Sequence, residues 1–306
     1  MKNLISSAMK RIFVFVITLV LGADCFSSQN DDSIFDGKKA LEHIKTQVSY
    51  GPRIPSHPTA KQHTLEFIEG TISPLATKMT SQEFSAYGLK GTNLWATFVG
   101  KDAKTNRRLM IGAHWDTRPI SDQEALEHNR DQPTSGANDG ASGVAVMLEL
   151  ARVFAISPPP ITVDLVFFDL EDMGNINQLP FAIGAKQFVK RNPFYRPSEG
   201  VILDMVCDKD LSLPKELYSK RQAPELTNRL WEIAKEQEAS VFLNIDGSFV
   251  MDDHVPFLEA GIPVVDLIHF PFPDYWHTTR DTVDKCSADS LQQVGNVISS
   301  LVYDNN

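Results

Sequence analysis

A chain of 306 residues, 42% of them hydrophobic and 22% charged, can fill one sizeable core and carries none of the bias that marks disorder or a fibre. Its formal charge of -10 argues against a polyanionic partner such as nucleic acid, and losing Lys2, Lys10 and Arg11 with a leader would make the remainder more acidic still. No Pro/Ser/Gly-rich linker, charge block or repeat offers a place to cut the chain, so a single domain is expected.

The N-terminus stands apart. Lys10 and Arg11 precede an apolar run over residues 12–21 that is too short to span a bilayer comfortably and sits where an export signal belongs. Residues 1–25 are read as a signal peptide and 33–306 as the folded domain, exported to the periplasm or outside the cell and without a stable membrane span once mature. Met9 opens a compact signal of the same kind and is a second candidate start. Cys25 follows the run, but Asp24 stands where lipoprotein processing wants a small residue, which argues against a lipid anchor. Cys207 and Cys286 show no disulfide pattern, so export is inferred from the leader alone.

Beyond the leader, apolar segments rich in β-branched and aromatic residues alternate with stretches of helical period. Strands are expected at residues 93–99, 109–113, 163–168, 200–205 and 263–268. A helix over 143–155 places Val144, Met147, Leu148 and Ala151 on one face. Helices at 225–236, with Leu226, Leu230 and Ile233, and at 288–301 behind a Ser287 cap follow the same spacing. The βαβα order and the near-continuous apolar strands predict an α/β fold: a central mixed, mostly parallel sheet flanked by helices on both faces. In such sheets ligands bind beyond the carboxyl ends of the strands.

Polar residues cluster at those ends. His114-Trp-Asp116 follows one strand, Asn138-Asp139-Gly140 opens a helix, Asp169-Leu-Glu171-Asp172 follows the next strand, and Asp204 closes another. Asp252-Asp253-His254 and Trp276-His277 come later. Helix capping explains any one of them, but not all five strand ends together. So many carboxylates in one crevice would raise one another's pKa unless a cation sat among them, and His with Asp/Glu ligands and no thiolate suits Zn²⁺. Asp139, Asp172 and His277 are the chosen ligands for one zinc ion, with Glu171 free to face a substrate as proton carrier.

These motifs carry a resemblance. His-x-Asp at 114–116, Asn-Asp-Gly-Ala-Ser-Gly at 138–143, Phe-Phe-Asp-x-Glu-Asp at 167–172 and His-Thr-x-x-Asp-Thr at 277–282 resemble the zinc aminopeptidase clan. Within it, Asp-Asp-His-x-Pro-Phe at 252–257 and Phe-Pro-x-x-Trp-His-Thr at 272–278 are more similar to glutaminyl cyclases, and the Glu171-Asp172 pairing to their bacterial branch. The similarity runs from about Tyr50 to the last helix. It implies zinc on Asp139, Asp172 and His277, a proton shuttle at Glu171, and supporting carboxylates at Asp204 and Asp252. If those two carboxyls lie near each other, they are expected to share one proton. It further implies Trp276 in the glutamine pocket, and peptides or proteins with N-terminal glutamine as substrates, closed to pyroglutamate with release of ammonia. The chain departs from the pattern twice. Residues 173–190 hold no second pocket Trp, leaving Phe181 as the substitute, and Asp266 stands where the animal enzymes have His.

Two rival readings remain open. In a two-zinc aminopeptidase, His114 and Asp204 hold a second ion, Asp139 bridges, and Glu171 activates water. A catalytically inactive binding ectodomain is the other, though it leaves the full set of ligand types without a purpose. The sequence does not specify an oligomeric state.

Overall fold

The computed structural model describes residues 34–102 and 105–303; the leader with Cys25, and residue 33 where the folded domain is expected to begin, lie outside the described residues. The first element is α1 (Gly37–Ser49), whose opening turn is capped by the Asp36 side chain accepting from the Lys38 and Lys39 N–H groups. α2 (Pro58–Ile72) starts on a proline, whose missing N–H has no partner to lose in a first turn. It buries Ala60, Thr64, Ile68 and Ile72 at four-residue spacing.

A hairpin follows, made of β1 (Lys78–Ala86) and β2 (Leu89–Phe98). Tyr87 and Gly88 close it, both at positive φ, as a two-residue hairpin turn requires. The strand expected at 93–99 is therefore the second half of a longer one. β1 escapes the hydrophobic pattern because it lies at the sheet edge and buries only Phe84.

The other expected strands appear as β3 (Arg108–His114), β4 (Thr162–Phe168) and β5 (Glu199–Asp204). After the short β6 (Leu213–Lys215) and β7 (Phe242–Asp246), which pair with each other, β8 (Val264–Ile268) completes the main sheet. Its order is β1-β2-β4-β3-β5-β8; β4, β3, β5 and β8 run parallel, and the β1-β2 and β2-β4 pairs are antiparallel. The sheet is thus mixed and mostly parallel, as the sequence predicts.

Among the described residues six more helices surround it: α3 (Ala141–Ile156), α4 (Ile183–Arg191), α5 (Leu217–Gln222), α6 (Pro224–Glu236), α7 (Val255–Glu259) and α8 (Ala288–Tyr303). α1, α3 and α8 pack together as one layer. Phe188 of α4 and Phe257 of α7 meet Phe168 of β4 on the other. Neighbouring residues of β3 report the two faces, since the space above Gly112 is filled by the Phe168 ring and Ile202 whereas Ala113 lies against Gly143 of α3. A Cβ on Gly143 would lie 2.1 Å from the Leu203 carbonyl oxygen, so α3 rests directly on β5. Ser287 caps α8 as expected, accepting from the Asp289 N–H at 3.1 Å.

The cysteines require a correction. Cys207 and Cys286 form a disulfide across 79 residues of chain, beside an isolated bridge between Asp208 and Cys286. Their sequence neighbours gave no hint because the pairing exists only through tertiary contact. All described residues belong to one compact unit, and no helix among them is long and apolar enough to cross a membrane.

Candidate active site

Tight backbone turns set the site at the carboxyl edge of the sheet. After β4, Leu170 takes φ 60°, and the next two N–H groups, of Glu171 and Asp172, donate to the two oxygens of Asp116 at 3.0 and 3.3 Å. Before α3, Gly140 takes φ 96°, and a Cβ there would meet the Asp116 carbonyl oxygen at 2.3 Å, so only glycine lets Asp139 approach. The Asn138 and Asp139 N–H groups donate to the carboxylate of Asp281 at 2.8 and 3.1 Å. His277 itself sits at φ 53°, in the loop beyond β8. Asp116 and Asp281 thus fix the backbone that presents Glu171, Asp172 and Asp139. Both lay in recognised motifs, yet nothing in their spacing marked this anchoring task.

Asp139, Asp172 and His277 converge, each buried, with one donor atom apiece within 4.8 Å of the others. His277 Nε2 stands 3.2 Å from Asp172 Oδ1 and 3.5 Å from Asp139 Oδ2, while its Nδ1 faces Asp122 at 3.4 Å. A carboxylate behind the imidazole fixes the ring orientation for a metal on the other nitrogen. Arg118 braces this arrangement, pairing with Asp122 at 2.7 Å and with Asp172 at 3.2 Å. Sequence reasoning missed both Arg118 and Asp122, because an Arg and an Asp in a loop look the same whether solvated or buried.

A second set shares Asp139. His114 Nε2 lies 3.2 Å from Asp139 Oδ1 and 3.2 Å from Asp204 Oδ1, and its Nδ1 lies 3.5 Å from Asp116. These three groups also meet within 4.8 Å.

The donor chemistry fits a cation. Asp172 Oδ2 is buried without any hydrogen-bond partner. Burial raises the Asp172 carboxyl, and the charge of Asp139 adds to it against His277. Burial, then the charge of Asp252, pushes Glu171 well above the usual carboxyl range, and burial raises Asp204 to about 7. Two carboxylates and an imidazole with an open side match a catalytic zinc site.

Beside the triad lies a cavity of about 350 Å³. Every sequence-selected site residue touches it: Asp139, Glu171, Asp172, Asp204, Asp252 and His277, with Phe181 and Trp276. Trp276 stacks on His277 at 3.7 Å between ring centroids and on Phe272 at 4.3 Å. Phe181 lies against Gly174 and the Arg118 guanidinium. Asp204 bonds His114 at 3.2 Å, and the charge of Asp252 adds to burial in raising it. Asp252 Oδ2 meets no N–H or O–H donor, and one donor atom each of Asp252, Asp266 of β8 and His254 lies within 4.8 Å of the others.

Known proteins fall into line with this geometry. A model of peptidase family M28 matches residues 93–302. The glutaminyl-peptide cyclotransferase of Bos taurus is 25% identical over 283 residues, 79% of this chain and 75% of that protein. The crystal structure of Bacteroides thetaiotaomicron glutaminyl cyclase bound to N-acetylhistamine is similar at a TM-score of 0.83 and 31% identity, covering 89% of this chain and 99% of that one. A Zn-dependent exopeptidase from Parabacteroides distasonis gives a TM-score of 0.82 and 29% identity over 89% and 99% of the two chains.

Proposed function

The chain belongs to peptidase family M28, and for this member, similar as it is to bacterial glutaminyl cyclases, we propose closure of the N-terminal glutamine of peptides or proteins to pyroglutamate with release of ammonia. One observation carries the choice over hydrolysis. Asp252 lines the same pocket as Glu171 and Asp204, together with Trp276. Peptide hydrolysis needs a metal site and a base; a third carboxyl suits a substrate that presents both an amine and a carboxamide.

Asp139, Asp172 and His277 would hold the zinc ion, which would supply Lewis-acid polarisation of the side-chain carbonyl. Glu171 takes the proton from the attacking α-amine and hands it to the departing amide nitrogen, so that one C–N bond forms, one breaks, and ammonia leaves. Nucleophile and electrophile belong to one molecule, and holding it curled supplies much of the rate. Trp276 and Phe181 are the apolar walls for that task. Asp204 and Asp252 accept from the substrate's N–H groups.

Mass spectrometry of a glutamine-led peptide incubated with the zinc-loaded protein tests this reading. The expected product is the intact chain lighter by one ammonia; free glutamine and a shortened peptide would overturn it. A second reading, the two-zinc aminopeptidase, is favoured by the complete His114, Asp139 and Asp204 set. Metal analysis separates the two, with one zinc per chain expected for the cyclase and two for the peptidase. Export through residues 1–25 is part of the proposal, and N-terminal sequencing of protein recovered outside the cytoplasm should find them removed.

A further inference from the structure

Behind Asp252 runs a line of buried polar groups that the proposed reaction leaves without a task. Asp252 Oδ1 accepts the Asp253 N–H at 2.5 Å, but its Oδ2 meets no N–H or O–H donor, and neither does either oxygen of Asp266. One donor atom each of Asp252, Asp266 and His254 lies within 4.8 Å of the others, so the two carboxyls and the imidazole stand side by side. Next in line, His254 Nδ1 stands 3.5 Å from Asp266 Oδ2, and its Nε2 stands 3.2 Å from Glu216 Oε2. All four residues are buried.

Glu216 is held on several sides. It accepts from the N–H groups of Tyr218, Ser219 and Val250 and from the Ser219 hydroxyl, which in turn accepts the Asp266 N–H. Burial favours its neutral form, but His254 and the backbone donors outweigh that and hold it ionised, at about 2. An imidazole between two carboxyls orients both of them.

We infer that His254, clamped between Glu216 and Asp266, is a positioning residue that acts through Asp266 to fix how Asp252 is presented to the reacting amide. The inference rests on the cyclase reading. Without the imidazole, Asp266 loses the partner on its far side and is free to shift, and the face of Asp252 that rests against it loses its support. Trp276 and Phe181, the apolar walls, are untouched, so turnover should suffer more than substrate binding.

Ammonia release from a glutamine-led peptide, measured with the zinc-loaded full chain, tests it. His254→Gln and Glu216→Gln should each lower kcat about tenfold with KM within about twofold of wild type. Placed in an Asp252→Asn background, His254→Gln should cost less than about twofold more, because the route to the amide is already cut. Unchanged kcat in both single variants, or an undiminished loss in the Asp252→Asn background, would overturn the proposal. Should His254→Gln fail to fold, Glu216→Gln, alone and with Asp252→Asn, decides by the same two readings. Wild-type protein that releases no ammonia would sink the cyclase reading itself, an outcome distinct from active wild type with indifferent variants.

Discussion

The two ends of β4 hold buried acids under opposite conditions. At the amino end, Asp164 is saturated: Thr97 donates at 2.7 Å, Tyr195 at 2.8 Å, and Arg108 to both oxygens at 2.9 and 2.6 Å. Just beyond the carboxyl end, Asp172 keeps an oxygen with no donor, beside Glu171, whose charge other carboxylates oppose. Burial of a carboxylate is therefore no sign of chemistry by itself. An acceptor left unmet among converging like charges is a better sign, since each such oxygen costs stability unless a cation or a proton completes the set.

The sharpest way to break the comparison is at Glu171. Glu171→Gln should lower kcat about a thousandfold while zinc stays bound, read by ammonia release and metal content. Near-normal turnover would mean that the carboxyl end is merely a second brace. The amino end should answer differently. Asp164→Asn should cost about 3 kcal/mol of stability in denaturant unfolding, because Arg108 loses its buried partner, yet leave the kcat of folded protein unchanged. Within the site, Trp276→Leu should raise KM about tenfold with a smaller effect on kcat, locating the wall rather than the proton path.

The smallest effect concerns acid. The Glu216 carboxyl sits at about 2 in the folded state against an ordinary 4.5, so its stabilisation is complete above the ordinary range and drains away as pH falls toward about 2. Thermal melts of wild type and Glu216→Gln should converge by about 1 kcal/mol over that window. Curves that stay parallel would remove Glu216 from the ionised set.

Much of this was legible before any coordinates. β3, β4, β5 and β8 declare themselves through apolar, β-branched runs, and the strand-end rule placed His114, Glu171, Asp172 and Asp204 on one edge. What escaped has physical reasons. β1 carries the polar pattern of an exposed edge, α4 starts from a left-handed Ala182 with no capping side chain, and the Cys207–Cys286 pairing is a product of the finished fold. Arg118, Asp122 and Glu216, the partner of His254, were invisible because a charged residue does not announce whom it will meet. Only neighbours brought from far along the chain reveal it.

The contact between Gly143 and the Leu203 carbonyl bears on the metal site. One added methyl would lever the start of α3 off the sheet and carry Asp139 away from its companions, so the floor of the cavity is closed to variation. Phe249 and Met251, which line the cavity and are exposed, carry no such constraint. Gly143→Ala should therefore loosen the metal site without touching any ligand.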